Sequence, residues 1–178
     1  MFQWFKTSQG TVHPAVKVAG AGVTASAAAA IAIAVTVIGP LEGYASKPYV
    51  DEIGTGHPIT WCFGETKADG PVPPLNKVFT KEQCTAELQR DLTNKYDPEV
   101  RKCVHVPLPP HREAALVSFV YNLGSGPVCN GPVGRYLNAG NVTAACNSML
   151  AYDHAGGKRI PGLTKRRQIE RGLCLRND

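Results

Sequence analysis

Glu42 and Asp51 stand with eight residues between them, and Thr60 follows after another eight. Two carboxyls held on opposite sides of a sugar ring can cleave a glycosidic bond. One, protonated, gives its proton to the leaving oxygen; the other, ionised, activates a water or steadies the cationic transition state. A hydroxyl such as that of Thr60 can orient the water. Two acids at this spacing are more often solvated surface charges, so the pair counts only if the fold sets both against one cleft.

Other reactive side chains point to less. His57, His105, His111 and His154 show no ligand spacing such as His-Glu-x-x-His, which argues against a zinc amidase. No metal or other cofactor is expected. Arg166, Arg167 and Glu170 lie one turn apart and are read as pairing with each other, the alternative being contact with an anionic peptide partner. Asn141-Val-Thr143 matches a glycosylation acceptor, a pattern short enough to arise by chance. The six cysteines, at 62, 84, 103, 129, 146 and 174, form no CxxC pair. They read as three disulfide staples in an oxidising compartment, with 15 possible connectivities and a slight preference for Cys129 with Cys146. A crossed pattern around Cys62 would point to redox control.

The elements that must position these residues are α+β and mostly helical. Tyr49 to Glu65 alternates like a short twisted hairpin, and the proline-rich stretch from Thr66 to Lys77 reads as a loop. Thr80-Lys-Glu-Gln83 has capping-box spacing, and Cys84, Leu88 and Leu92 share one face of a helix predicted to end before Pro98. His111 to Leu123 is apolar around much of its circumference and reads as the central buried helix, stopped by Gly124. Shorter helices fit Val133 to Leu137, Val142 to Tyr152 and Leu163 to Leu173. A small β lobe before a helical lobe would leave a cleft between them.

In front of this domain, Val18 to Leu41 carries no charge. As a helix it would rise roughly 36 Å, against a hydrocarbon core of about 30 Å. Lys6 and Lys17 precede it and Glu42 follows, so the positive-inside rule leaves residues 1–17 cytoplasmic and 42–178 exported. Nine of its residues are Ala and only eight are strongly apolar. Those eight give about −4 kcal/mol of insertion at most, a marginal anchor compatible with slow or triggered release. A permanent anchor and a signal peptide cleaved around Ala25 to Ala30 or near Ala45 are the alternatives, although the best apolar run, Ile31 to Ile38, lies after the first of these. The net charge of +5 falls to +3 in the exported part, and export removes nucleic acid as a partner.

Several ordered segments resemble the phage lysozyme (endolysin) family and its E-x8-D-x5-T signature. They are Glu42-Gly43, Tyr49-Val-Asp51-Glu-Ile-Gly54 and Thr60-Trp-Cys-Phe-Gly64-Glu-Thr66, followed by Val117-Ser-Phe-Val-Tyr-Asn-Leu-Gly124, Arg135-Tyr-Leu-Asn-Ala-Gly140 and Pro161 to Leu173. With the weak N-terminal span, the chain is similar to the signal-anchor-release subgroup made by phages of Gram-negative hosts. The resemblance implies a two-lobed lysozyme fold over residues 42–178 and hydrolysis, with inversion, of the β-1,4 bond between N-acetylmuramic acid and N-acetylglucosamine in peptidoglycan. Glu42 would be the general acid, Asp51 would hold the water, and Thr60 would orient it. It further implies export by the host machinery, anchoring in the inner membrane through Val18 to Leu41, and release into the periplasm when a holin collapses the membrane potential. Two departures stand out. Eight residues rather than five separate Asp51 from Thr60, so Thr55 or His57 could compete for the third role, and the family's usual His in Gly-His-Thr is Glu65 here. Rival readings are a lytic transglycosylase, which would leave anhydro ends, and a tethered wall-binding protein without turnover.

Overall fold

The computed structural model describes residues 24–52 and 56–178. The expected cytoplasmic segment 1–17, the first part of the apolar span (18–23) and Thr55 lie outside the described residues.

The chain opens on α1 (Ala25–Glu42), which Thr24 caps by accepting from the Ala27 amide at 3.2 Å. Ala27, Ala30, Ile31, Ala34 and Ile38 recur at helical spacing and are buried. The small alanines let α1 lie closely on α4 (Pro110–Leu123). The stretch of the apolar span from Ala25 to Leu41 therefore contributes a stripe to the domain core. The helix is also long and apolar enough to cross a membrane by length and composition. It stops at Gly43, whose φ of +81° turns the chain away from the helix axis directly after Glu42.

A two-stranded antiparallel hairpin follows, β1 (Ala45–Val50) and β2 (Ile59–Cys62). It starts earlier than the expected Tyr49. Tyr49 faces Thr60 and Val50 faces Ile59, with an irregularity between Ala45 and Tyr49. The loop after β2 is held to the hairpin by the Phe79 amide, which donates to the Ser46 carbonyl at 2.8 Å. It is held to the helical lobe by Lys95 and the Tyr96 hydroxyl, both on Asp69.

The capping box forms as predicted, Thr80 and Gln83 exchanging hydrogen bonds at the start of α2 (Lys81–Asp91), with Cys84 and Leu88 buried. The predicted stop before Pro98 does not occur. A π-helical turn, Leu92–Tyr96, leads straight into α3 (Asp97–Cys103), with Pro98 in the first turn of α3, where proline is tolerated.

α4 is the central helix, with every residue from Arg112 to Val120 buried. Around it lie α5 (Gly126–Cys129), α6 (Pro132–Asn138), α7 (Val142–Ser148) with a short 3₁₀ extension to Ala151, and α8 (Pro161–Cys174). A small hairpin of β3 (His154–Ala155) and β4 (Lys158–Arg159) precedes α8, and the sequence reading had not anticipated it.

The disulfides are Cys62–Cys84, Cys103–Cys129 and Cys146–Cys174. The preferred Cys129–Cys146 pairing is thus incorrect: Cys129 faces the end of α3, and Cys146 faces the end of α8. The three staples are sequential and uncrossed. Each closes a loop of 22 to 28 residues, worth about 3 kcal/mol in the chain-entropy account.

Because α1 supplies part of the core, Ile38→Ala should cost about 2–5 kcal/mol in urea denaturation of the oxidised protein. A loss below about 1 kcal/mol would mean that α1 does not pack as described.

Candidate active site

Glu42 is the last residue of α1 and sits at the negative end of the helix dipole, an unfavourable place for a carboxylate unless a cation faces it. Arg166 of α8 does: its Nη1 donates to Glu42 Oε1. The guanidinium is itself fixed from two other sides, by Glu170 Oε1 at 3.0 Å and by the Ser118 carbonyl of α4 at 3.1 Å. Glu170 also accepts from the Ser118 hydroxyl at 2.8 Å and pairs with Arg167 at 2.9 Å, while Arg167 lies over the Phe119 ring. Burial pushes the Glu170 carboxyl above its ordinary value, and Arg167, Arg166 and Ser118 oppose that shift. The expected pairing of Arg166, Arg167 and Glu170 is present, but its reach to Glu42 was missed. No local pattern links positions 124 residues apart.

Across from Glu42 stands the hairpin. Alternation along an antiparallel pair puts Tyr49 and Asp51 on the same face as Pro58, Thr60 and Cys62, and these residues line one cleft of about 430 Å³ together with Glu42, Tyr44, Gly64 and Thr66. Asp51 sits just past β1, where its amide donates to the Pro58 carbonyl at 2.9 Å and carries the strand pairing one step further. The longer connection therefore lies between Asp51 and Pro58, and Thr60 stays in register opposite Tyr49. Thr60 is buried, and its hydroxyl has no hydrogen-bond partner among the described residues. His57, the other competitor, is exposed on the turn with a φ of +48°.

One wall of the cleft is the tight turn from Trp61 to Glu65. Gly64 takes a φ of +101° there, and a Cβ at this position would meet Glu42 Oε2 at 3.7 Å and the Tyr121 hydroxyl at 3.9 Å. Tyr121 of α4 donates to the Phe63 carbonyl at 3.0 Å. Burial pushes its phenol far above the ordinary value, so it acts only as a neutral donor. Glu42, Asp51 and Thr60 are thus brought to one cleft, and Arg166 and Tyr121 are the supports that sequence reasoning did not find.

A family model described as phage lysozyme matches residues 39–170. A SAR-endolysin of Bacteriophage PS119 is 36% identical over 135 residues, covering 76% of this chain and 77% of its own. The chain belongs to the phage lysozyme family. Solved structures agree. A P22 lysozyme mutant, 30% identical, matches with a TM-score of 0.71 over 80% of this chain and 95% of that one. An endolysin from Escherichia coli O157:H7 phage FAHEc1, 26% identical, matches with a TM-score of 0.70 over 80% and 90%. The family match starts at position 39, so it takes in only the last turn of α1, with Glu42. In this phage lysozyme the rest of α1 joins the fold through the stripe from Ala27 to Ile38.

Arg166 links a partly exposed acid to a fully buried one, so removing it leaves Glu170 short of a cation in the core. Arg166→Ala should destabilise the protein by about 3–5 kcal/mol in chemical denaturation, with Arg166→Lys losing less. A cost near zero would show that the network does not hold α1 to α8.

Proposed function

We propose that this phage lysozyme is an endolysin that hydrolyses the β-1,4 bond between N-acetylmuramic acid and N-acetylglucosamine in peptidoglycan. The observation that supports this most is the arrangement of Glu42, Asp51 and Thr60 around one cleft, with Glu42 on a helix end and the other two on the hairpin opposite. In this reading the glycan strand lies between the lobes. Glu42 protonates the leaving glycosidic oxygen, Asp51 accepts a proton from the attacking water, and the Thr60 hydroxyl, having no protein partner among the described residues, orients that water. Attack from the face opposite the leaving group inverts the anomeric centre. Arg166 acts through Glu42: it fixes the carboxyl's direction and offsets the helix dipole.

The name of the PS119 relative and the composition of α1 support a life in two places. The nascent chain is exported with residues 1–17 in the cytoplasm and 18–41 in the host inner membrane, so that 42–178 face the periplasm. While α1 lies in the bilayer, Glu42 is at the membrane boundary and cannot meet Arg166. After a holin collapses the membrane potential, the helix leaves the lipid and residues from Ala25 onward join the catalytic domain. Each large aliphatic side chain of α1 buried in the protein recovers about 1.5–3 kcal/mol relative to water. Two such residues, Ile31 and Ile38, bring that to about 3–6 kcal/mol, similar in size to the marginal insertion energy of the whole span. A released chain therefore has a folded destination that competes with lipid.

Mass spectrometry of muropeptides released from purified peptidoglycan by the oxidised full chain tests the reaction. Hydrated, reducing N-acetylmuramic ends are expected, with a loss of about 10²–10⁴-fold in Glu42→Gln and a further-reaching loss of water activation in Asp51→Asn. Anhydro ends would identify a transglycosylase instead, and a folded protein giving no products would leave a wall-binding role.

A further inference from the structure

The wall against Glu42 is closed by a group that the proposed reaction does not use. Glu65 is 1% exposed. Its Oε2 accepts from the Phe63 amide at 2.6 Å, closing the turn in which the Glu65 and Gly64 amides both donate to the Trp61 carbonyl. Its Oε1 is buried with no hydrogen-bond partner among the described residues. A lone ionised oxygen in that position costs far more than a lone hydroxyl, because burying an unpaired charge costs more than burying an unpaired dipole.

The groups facing Glu65 do not offset that cost. From α2 come Glu87, held by the Trp61 indole at 3.0 Å, and Asp91, both of which oppose a further negative charge. Arg90 on the same helix is committed to Asp91 at 2.9 Å. From α4 comes Tyr121, neutral and already donating to Phe63. From α1, Glu42 stands on the far side of Gly64.

We propose that Glu65 is a positioning residue for the lysozyme reaction: in its uncharged form it fastens the Phe63–Gly64 turn against Glu42, and its ionisation loosens that turn and slows turnover. The proposal rests on the reading of the cleft as a glycosidase site. Desolvation by burial raises the Glu65 carboxyl to about 7, the Phe63 amide and its own backbone amide working against the rise. The device therefore operates within the ordinary pH range. Once ionised, the buried carboxylate needs more hydration than its enclosed Oε1 receives, so the charge is relieved only when the turn opens to water, and the Phe63–Gly64 wall beside Glu42 loosens.

The test compares the full chain with Glu65→Gln, whose amide oxygen can accept from the Phe63 amide at every pH. Turnover of purified peptidoglycan is followed from pH 5 to 9. The wild type should lose about tenfold in rate between pH 6 and 8, the loss expected one pH unit above a titration near 7. E65Q should match it within twofold at pH 6 and stay nearly level to pH 8. The same alkaline limb in both proteins, or a folded E65Q that is inactive at pH 6, overturns the proposal. Carboxyl ¹³C NMR reads the group without relying on turnover. The Glu65 resonance, assigned by through-bond correlation to the Glu65 backbone, and the Phe63 amide shift should titrate together near 7, and a Glu65 midpoint below 5 overturns the proposal even if E65Q does not fold. A wild type that titrates as expected but turns over no peptidoglycan at any pH counts against the lysozyme reading, and with it against any role of Glu65 in that reaction.

Discussion

The ion pair between Glu42 and Arg166 exists only when two distant parts of the chain are docked. Glu42 ends α1, Arg166 lies in α8, and α4 separates the two helices while touching both. The pair therefore accompanies the packing of the α1 stripe onto α4, with Ser118 and Glu170 fixing the guanidinium. Glu170 is buried in the midst of two arginines and a serine hydroxyl, a costly arrangement if any member is missing. Its physical consequence is that the orientation of the proposed acid is set by the folding of the whole helical lobe. The hairpin then has one remaining task, to hold Asp51 and Thr60 at the other side of the cleft, and Cys62–Cys84 pins it to α2 for that purpose.

The dual character of α1 follows from its composition. Alanine is small enough to pack helix against helix and apolar enough to pass in a span without strong retention. A leucine-rich helix would anchor more firmly and would be too bulky for the close approach to α4. The weak hydrophobicity of this segment and its fit in the domain core thus share one origin, its alanine content. Gly43, with its φ of +81°, ends the helix sharply, so that Glu42 stands at the point where the chain leaves one lobe for the other.

Much of this was legible in the sequence. The Thr80 capping box, the buried helix ended by Gly124 and the two-lobed α+β plan come from local rules, namely caps, periodicity and punctuation. Local rules also mislead where a residue has two structural uses. Pro98 was read as a stop, although the first turn of a helix accepts proline, and the π-helical turn before it carries the chain across without a break. The cysteine pairing and the contact from Arg166 to Glu42 depend on which helix ends meet in space, and nothing nearby in the sequence encodes that. The position of Thr60 depends on strand register. Because the added residues fall in the turn beyond the Asp51 to Pro58 hydrogen bond, they leave the alternation of β2 unchanged.

In the proposed two-stage life of this endolysin, one helix cannot serve the membrane and the active site at the same time. The most direct measurement is the rate of peptidoglycan cleavage by wild-type protein held in inner-membrane vesicles with its catalytic domain outward, compared per molecule with the same protein after it has left the bilayer. The embedded form should give no turnover and the released form full turnover. Equal rates from both forms would contradict this, since Glu42 would then be working without the α1 to α4 packing that brings it to Arg166.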